Sequence, residues 1–164
     1  MKIKAKRLSD TAKLPTYGSE KAACCDLYAD LSDHCITLNP DVEVRNISGN
    51  ENGPIQRVGI APHCTVKIPT GWAFQPPEGY MLQILQRSGL ASKGLICVGG
   101  ILDNDYVGEV VVILLNTTED YIKISNGDRI AQMALRRYEQ ADFELVDELD
   151  KTERGLAGFG STGV

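Results

Sequence analysis

No apolar run in this chain is longer than Val110 to Leu115, too short for a membrane-spanning helix. Histidine is almost missing. His34 and His63 stand well apart, which argues against a histidine metal cluster or a Ser-His-Asp triad. Basic charge is not in excess either: the net charge is -5, unlike that of a general nucleic-acid or membrane-surface binder. The five cysteines (Cys24, Cys25, Cys35, Cys64 and Cys97) are odd in number, two are adjacent, and none has C-x-x-C spacing. Neither a disulfide framework nor a zinc site is indicated, and reduced thiols in a cytoplasmic protein are expected. The opening "MKIKAKRL" is charged with no apolar segment behind it, so no secretory signal is expected. No charged, Pro-rich or repetitive linker divides the chain, and 164 residues at 43% hydrophobic content suit one domain with one core.

What is present is a succession of short alternating or β-branched runs: "IKAKRL", "HCITL", "VEVRNI", "TVKIP", "GWAFQ", "YMLQIL", "VVVILL" and "YIKIS". Gly, Pro, Asn and Asp clusters separate them, as in an all-β sandwich or barrel. "VVVILL" does not alternate, which predicts burial on both faces, one in the core and the other available to a second subunit. Only "SGLASKG" (Ser88 to Gly94) reads as a helical turn. "NENGP" (Asn50 to Pro54) is a tight-turn signal, predicting a hairpin between "VEVRNI" and "QRVGI".

Four stretches could carry chemistry. "QRSGLASKG" places Arg87 and Ser88 where a strand opens into a helical turn, either as an anion site or as a Ser N-cap beside a surface Arg. "GGILDNDYVGE" (Gly99 to Glu109) is either an Asn-Asp turn with solvated carboxylates or a ligand loop in which Asp103 is a base. "NGDRIAQ" (Asn126 to Gln132) enters a strand with Arg129 and Gln132 on offer. The tail "RGLAGFGSTGV" (Arg154 to Val164) contains a formal G-x-G-x-x-G from Gly158 to Gly163, but no helix or acidic residue follows, so the dinucleotide reading fails. Free N–H groups, two hydroxyls and Arg154 still suit a phosphate there.

Taken together and in this order, these stretches resemble the trimeric dUTPase family, whose members hydrolyse dUTP to dUMP and pyrophosphate, keeping uracil out of DNA and supplying dUMP for dTMP synthesis. "AACCDLYA" (Ala22 to Ala29) is similar to the first family motif, "RSGLASKG" to the second and "GGILDNDYVGEV" to the third. "GDRIAQ" is similar to the fourth and "RGLAGFGSTG" to the fifth, and "PTGWAFQPPEGY" (Pro69 to Tyr80) matches the stretch before the second. The sequence departs from the usual pattern at Cys24 (for Gly), Gln86 (for Pro), Val107 (for Arg or Gln) and Ala157 (for Gly). Residues 41–61 look like an insertion.

The resemblance implies an all-β, jelly-roll or β-clip barrel assembled as a homotrimer, with residues 1–153 as a single β domain that includes the inserted hairpin. Residues 154–164 are then a flexible Gly-rich arm that closes an active site shared between subunits. By the same resemblance Asp103 activates the water that attacks the α-phosphorus, with Mg2+ held mainly by the substrate phosphates and met by Asp26 through water. Arg87, Ser88, Gly89, Gln132, Arg154, Gly160, Ser161 and Thr162 contact the substrate phosphates. Gly100 and Ile101 offer main-chain groups to uracil, Tyr106 lies under the deoxyribose, and Phe159 stacks on the base. No nucleic-acid or membrane partner is expected. The related dCTP deaminases share the fold but need a Glu acting on the base, where this third motif has Asp103 and Tyr106. Ordering the arm costs more backbone entropy than burying Leu156 and Phe159 returns, so it is expected to settle only over bound triphosphate.

Overall fold

The computed structural model describes residues 1–32, 36–37, 45–46 and 57–157, with the backbone alone for 36–37 and 45–46. The first half of the chain carries β1 (Lys4–Arg7), β2 (Thr16–Tyr17), β3 (Cys25–Tyr28), β4 (Ile36–Thr37), β5 (Arg45–Asn46), β6 (Arg57–Ile60) and β7 (Thr65–Gln75). Then come β8 (Tyr80–Leu85), the one-turn helix α1 (Ser88–Ala91), β9 (Leu95–Cys97), β10 (Ile101–Leu102), β11 (Glu109–Asn116), β12 (Ile122–Ser125) and β13 (Arg129–Arg137).

The strands form three sheets, ordered β1-β7-β11-β9 with β4 also on β7, β10-β8-β13-β3-β2, and β12-β6-β5. Their pairings are antiparallel. Antiparallel sheets tolerate one wet face, and the alternation of the sequence is used that way. Val66 and Ile68 of β7, Leu82 and Ile84 of β8, Ile130 and Met133 of β13, and Val58, Ile60 and Ile124 of the small sheet meet in one core.

"VVVILL" behaves differently on its two faces. Val110, Val112 and Leu114 are at most 1% exposed, whereas Val111, Ile113 and Leu115 on the other face are only half-buried. Burial on both faces is therefore not reached within the single chain. At the end of β11 the buried Asn116 donates its amide to the carbonyls of Ile60, Ala61 and Asp120 and accepts from the Thr118 N–H and hydroxyl. It ties the large sheet to β6.

The segment 41–61 divides. Arg45 and Asn46 of β5 pair with Gly59 and Val58 of β6, and the turn residues between them lie outside those described. β6 itself is core: Val58 and Ile60 are 1% and 0% exposed, and the strand is hydrogen-bonded along β12. Residues 57–61 are thus inseparable from the barrel, because burying Val58 and Ile60 completes the layer over Ile124.

One glycine is dictated by space. Gly71 has φ of 69°, and a Cβ there would run into the Asp30 carboxylate and the Ala12 methyl. Opposite it the β7–β11 register shifts between Glu109 and Val111, and the Glu109 carboxylate accepts the Gly71 N–H at 2.8 Å. Asp30 is itself buried, accepting from the Thr11 hydroxyl and the Ser32 N–H. Burial pushes its carboxyl up, but hydrogen bonds from Ser9, Thr11 and Ser32 outweigh this and hold it below the ordinary carboxylate range.

Candidate functional site

Strand pairing sets the first half of the site. In the sheet β10-β8-β13-β3-β2, Asp26 of β3 is the partner of Gln132 of β13, and Gln132 is the partner of Leu85 at the end of β8. The chain then runs through Gln86 and Arg87 into α1, so the first, second and fourth motifs converge on one sheet end. Arg87 Nε donates to Asp26 Oδ1 at 2.8 Å, and Arg87 Nη1 donates to the Arg129 carbonyl at 3.2 Å. Arg129 Nη1 donates to Asp26 Oδ2 at 3.2 Å, and the Gln132 amide donates to the Gln86 carbonyl at 2.8 Å. The Asp26 side chain is 13% exposed, against 24% for Arg87 and 53% for Arg129. One carboxylate thus steers two guanidiniums, whose remaining N–H groups stay available to an anion.

The structure removes the Ser N-cap reading of "QRSGLASKG". Arg87, not Ser88, is the N-cap of α1, no side chain caps the turn, and Arg87 is ion-paired rather than a free surface residue. Ser88 and Gly89 are exposed at the start of the turn.

The third motif forms an exposed turn on the same sheet. Ile101 and Leu102 pair with Gln83 and Leu82, and the Gly100 carbonyl accepts the Ile84 N–H at 2.9 Å. A Cβ at Gly99 or Gly100 would meet nothing, so the space above this backbone is open. Asp103 is exposed, and its carboxylate has no partner among the described residues. The Tyr106 N–H closes the turn on the Asp103 carbonyl at 3.2 Å, and the Tyr106 hydroxyl donates to the Glu109 carbonyl at 2.9 Å. The Tyr106 ring covers Gly108, where a Cβ would strike it. The ring is therefore held in one orientation while 45% of the residue stays exposed.

Not everything named from the sequence comes together in one chain. Asp103 follows Leu102, the partner of Leu82, whereas Arg87 lies beyond the other end of β8. At about 3.3 Å per residue the two are separated by roughly 15–20 Å along the sheet. Arg154 donates to the Ala157 carbonyl and makes no contact with the Asp26 cluster. Residues 139–157 are exposed throughout, including Phe143 at 93%, Leu145 at 97% and Leu149 at 86%. Phe159, Gly160, Ser161 and Thr162 lie outside the described residues.

Arg129 is the member of the cluster that sequence reasoning left without a role. A register shift between Arg129 and Ala131 re-aims its side chain toward Asp26, and such a bulge has no signature in the residues themselves. Burial pushes the Cys97 thiol up to about 11 and raises Cys25 as well.

Comparison with known proteins agrees in sequence and in fold. A family model described as dUTPase matches residues 55–163. A deoxyuridine 5'-triphosphate nucleotidohydrolase of Orientia tsutsugamushi (strain Ikeda) is 38% identical over 170 residues, covering 100% of this chain and 99% of the relative. The protein of that name from Syntrophotalea carbinolica is 40% identical over 164 residues, covering 98% and 96%. The solved dUTPase of Staphylococcus bacteriophage 80alpha with dUPNHPP superposes with a TM-score of 0.78 at 23% identity, covering 99% of both chains. A mutant dUTPase of phage phi11 of S. aureus, described for its coordination of a structural Mg(II) ion, superposes at 0.71 with 18% identity, covering 92% of this chain and 100% of that one.

Proposed function

This chain belongs to the dUTPase family and hydrolyses dUTP to dUMP, and from that premise we propose how its residues do so. Asp103 takes the proton of a water that attacks the α-phosphorus in line, and pyrophosphate leaves. A positioned carboxylate base contributes about 10²–10⁴-fold. The rest of the barrier is electrostatic, because the triphosphate's negative charge must be neutralised as the bond breaks. Arg87 supplies guanidinium N–H groups at the phosphates, Ser88 and Gly89 follow it at the exposed start of α1, and Gln132 stands beside them. Arg154, Gly160, Ser161 and Thr162 of the arm close over the phosphates, and Phe159 stacks on uracil.

Uracil is read by main-chain groups near Gly100 and Ile101, where the backbone is open. Tyr106, pinned by its bond to the Glu109 carbonyl, forms the wall under the deoxyribose that leaves no room for a 2′-hydroxyl.

Mg2+ fits this donor set as an outer partner. Asp26 gives one oxygen to each of two guanidiniums and keeps a lone pair on both, so it could meet a hard ion only through that ion's water shell, with the substrate phosphates supplying the negative charge. Among the described residues no three His, Cys, Asp or Glu converge into a cage, so substrate phosphates hold most of the ion. When bound, Mg2+ neutralises phosphate charge.

A homotrimer with shared sites completes the scheme. The observation that supports it is that Asp103 and Arg87 lie toward opposite ends of β8 within one chain, which fits sites that take them from different subunits. The exposed apolar residues of 143–156 supply the contact and the reach. A cytoplasmic location fits the free thiols of Cys24, Cys25, Cys64 and Cys97. Among the described residues no helix is long and apolar enough to cross a membrane. A pyrophosphate-release assay with dUTP, dCTP, dTTP and UTP tests the reading: turnover of dUTP alone is expected, and equal turnover of dTTP or UTP would overturn the assignment of the third motif.

A further inference from the structure

We propose that the groove between α1 and β12 is a second anion site, one that takes inorganic pyrophosphate. It encloses about 320 Å³ and is lined by Arg87, Lys93, Lys123, Asp128 and Arg129, with Leu95 and Ile124 among its apolar residues. Four cations meeting one carboxylate is unusual on a chain whose net charge is -5. That carboxylate is directed elsewhere, since Asp128 Oδ2 accepts the Ser125 N–H at 2.7 Å. Asp26 engages one donor each of Arg87 and Arg129, and a second Arg87 donor is spent on the Arg129 carbonyl, which leaves the remaining N–H groups of both for an anion. Lys93 and Lys123 are exposed and have no partner among the described residues. Asp26 offsets only one charge of the Arg87–Arg129 pair, so with Lys93 and Lys123 the groove keeps a positive excess that attracts a multiply charged anion.

The lining also limits what that anion is. Among the described residues no aromatic side chain lines the groove, so a compact anion without a base fits it better than a nucleotide or a single strand. Pyrophosphate has that chemistry. This assignment rests on the dUTPase reading, in which pyrophosphate is the product released beside Arg87. Arg87 belongs to both places, and Arg129, Lys93 and Lys123 are the residues the product meets as it moves off the reacting end.

The test is calorimetric titration of sodium pyrophosphate into the full-length protein and into the Lys93→Gln/Lys123→Gln variant at low salt. Both lysines are exposed, so the urea midpoints are expected to match, and Lys93→Arg/Lys123→Arg is expected to retain binding. Loss of two charge-assisted contacts predicts affinity about tenfold lower in the Gln variant, with pyrophosphate inhibition of dUTP hydrolysis weakened in step. Equal pyrophosphate affinity in the two proteins overturns the site. So does a single-stranded oligonucleotide that loses binding in the Gln variant while pyrophosphate does not. Active dUTP hydrolysis with unchanged pyrophosphate affinity would sink the groove alone. Lysine-dependent pyrophosphate binding without dUTP hydrolysis would keep the groove and sink the catalytic reading.

Discussion

The Asp26 cluster and the Asp103–Tyr106 turn belong to one sheet and are built in opposite ways. In the cluster every charged group already has a partner: Arg87 and Arg129 converge on Asp26, and Gln132 is anchored to the Gln86 carbonyl. In the turn the Asp103 carboxylate is free among the described residues, Ile101 is 56% exposed, and only Tyr106 is pinned. The first region is assembled by strand pairing inside the chain. The second is presented outward, as the exposed C-terminal segment is. Charged side chains are thus paired within the chain in one region and presented without partners among the described residues in the other.

The sharpest way to break this contrast is Asp103→Asn. Turnover of dUTP is expected to fall at least about a hundredfold with the urea midpoint unchanged, because the carboxylate holds nothing in place. A lower midpoint would mean that Asp103 is structural after all. Asp26→Ala is expected to act on the other side of the comparison. It strands two guanidiniums, one of them largely buried, and should lower unfolding free energy by about 1–3 kcal/mol as well as activity. Stability equal to that of the parent protein would show that the cluster is not preassembled.

Smaller effects sharpen the turn. Tyr106→Ala should raise UTP turnover relative to dUTP on the order of tenfold, within the roughly 10²-fold by which an apolar wall can reject a hydroxyl. An unchanged ratio would move discrimination away from Tyr106. Refolding Asp103→Asn together with a chain lacking residues 154–164, in equal amounts, should restore roughly a quarter of full activity, if base and arm of each site come from different chains. Background activity in proven mixed trimers would place both in one chain.

The smallest effect concerns Asp30, whose hydrogen bonds lower its pKa. Its contribution is complete above the ordinary carboxylate pKa and is lost as pH falls through the lower folded value. Asp30→Asn should therefore be less stable than the parent at pH 7, and the gap should close on acidification below about pH 4. A gap that stays constant to the lowest pH at which both fold would deny the shift.

Much of this was legible from the residues. Alternating runs and Gly/Pro/Asn punctuation place the strands, and the one helical turn falls on "SGLA", where the alternation stops. The motif residues Asp26, Arg87, Gln132 and Asp103 can be named without coordinates. Arg129 could not be given its task, since that depends on a bulge in β13. Nor could β6 be separated from the hairpin beside it: "RVGI" looks like any short strand, and its burial is decided by β12, more than sixty residues later. The half-covered face of β11 and the buried amide of Asn116 are likewise products of what packs nearby.

The sequence by itself determined the all-β class and most of the longer strands, because side-chain period and residue chemistry are local properties. "TVKIP" and "GWAFQ" prove to be the single strand β7, and the short β2, β3, β9 and β10 carry no comparable signal. Only the tertiary structure decided which groups meet. Antiparallel pairing brings Asp26, Gln132 and the end of β8 into adjacent positions, while the same pairing holds Asp103 toward the other end of β8. Register is set by long-range hydrogen bonds and by which face is buried, so a chain read one residue at a time cannot reveal that Asp103 and Arg87 lie toward opposite ends of β8.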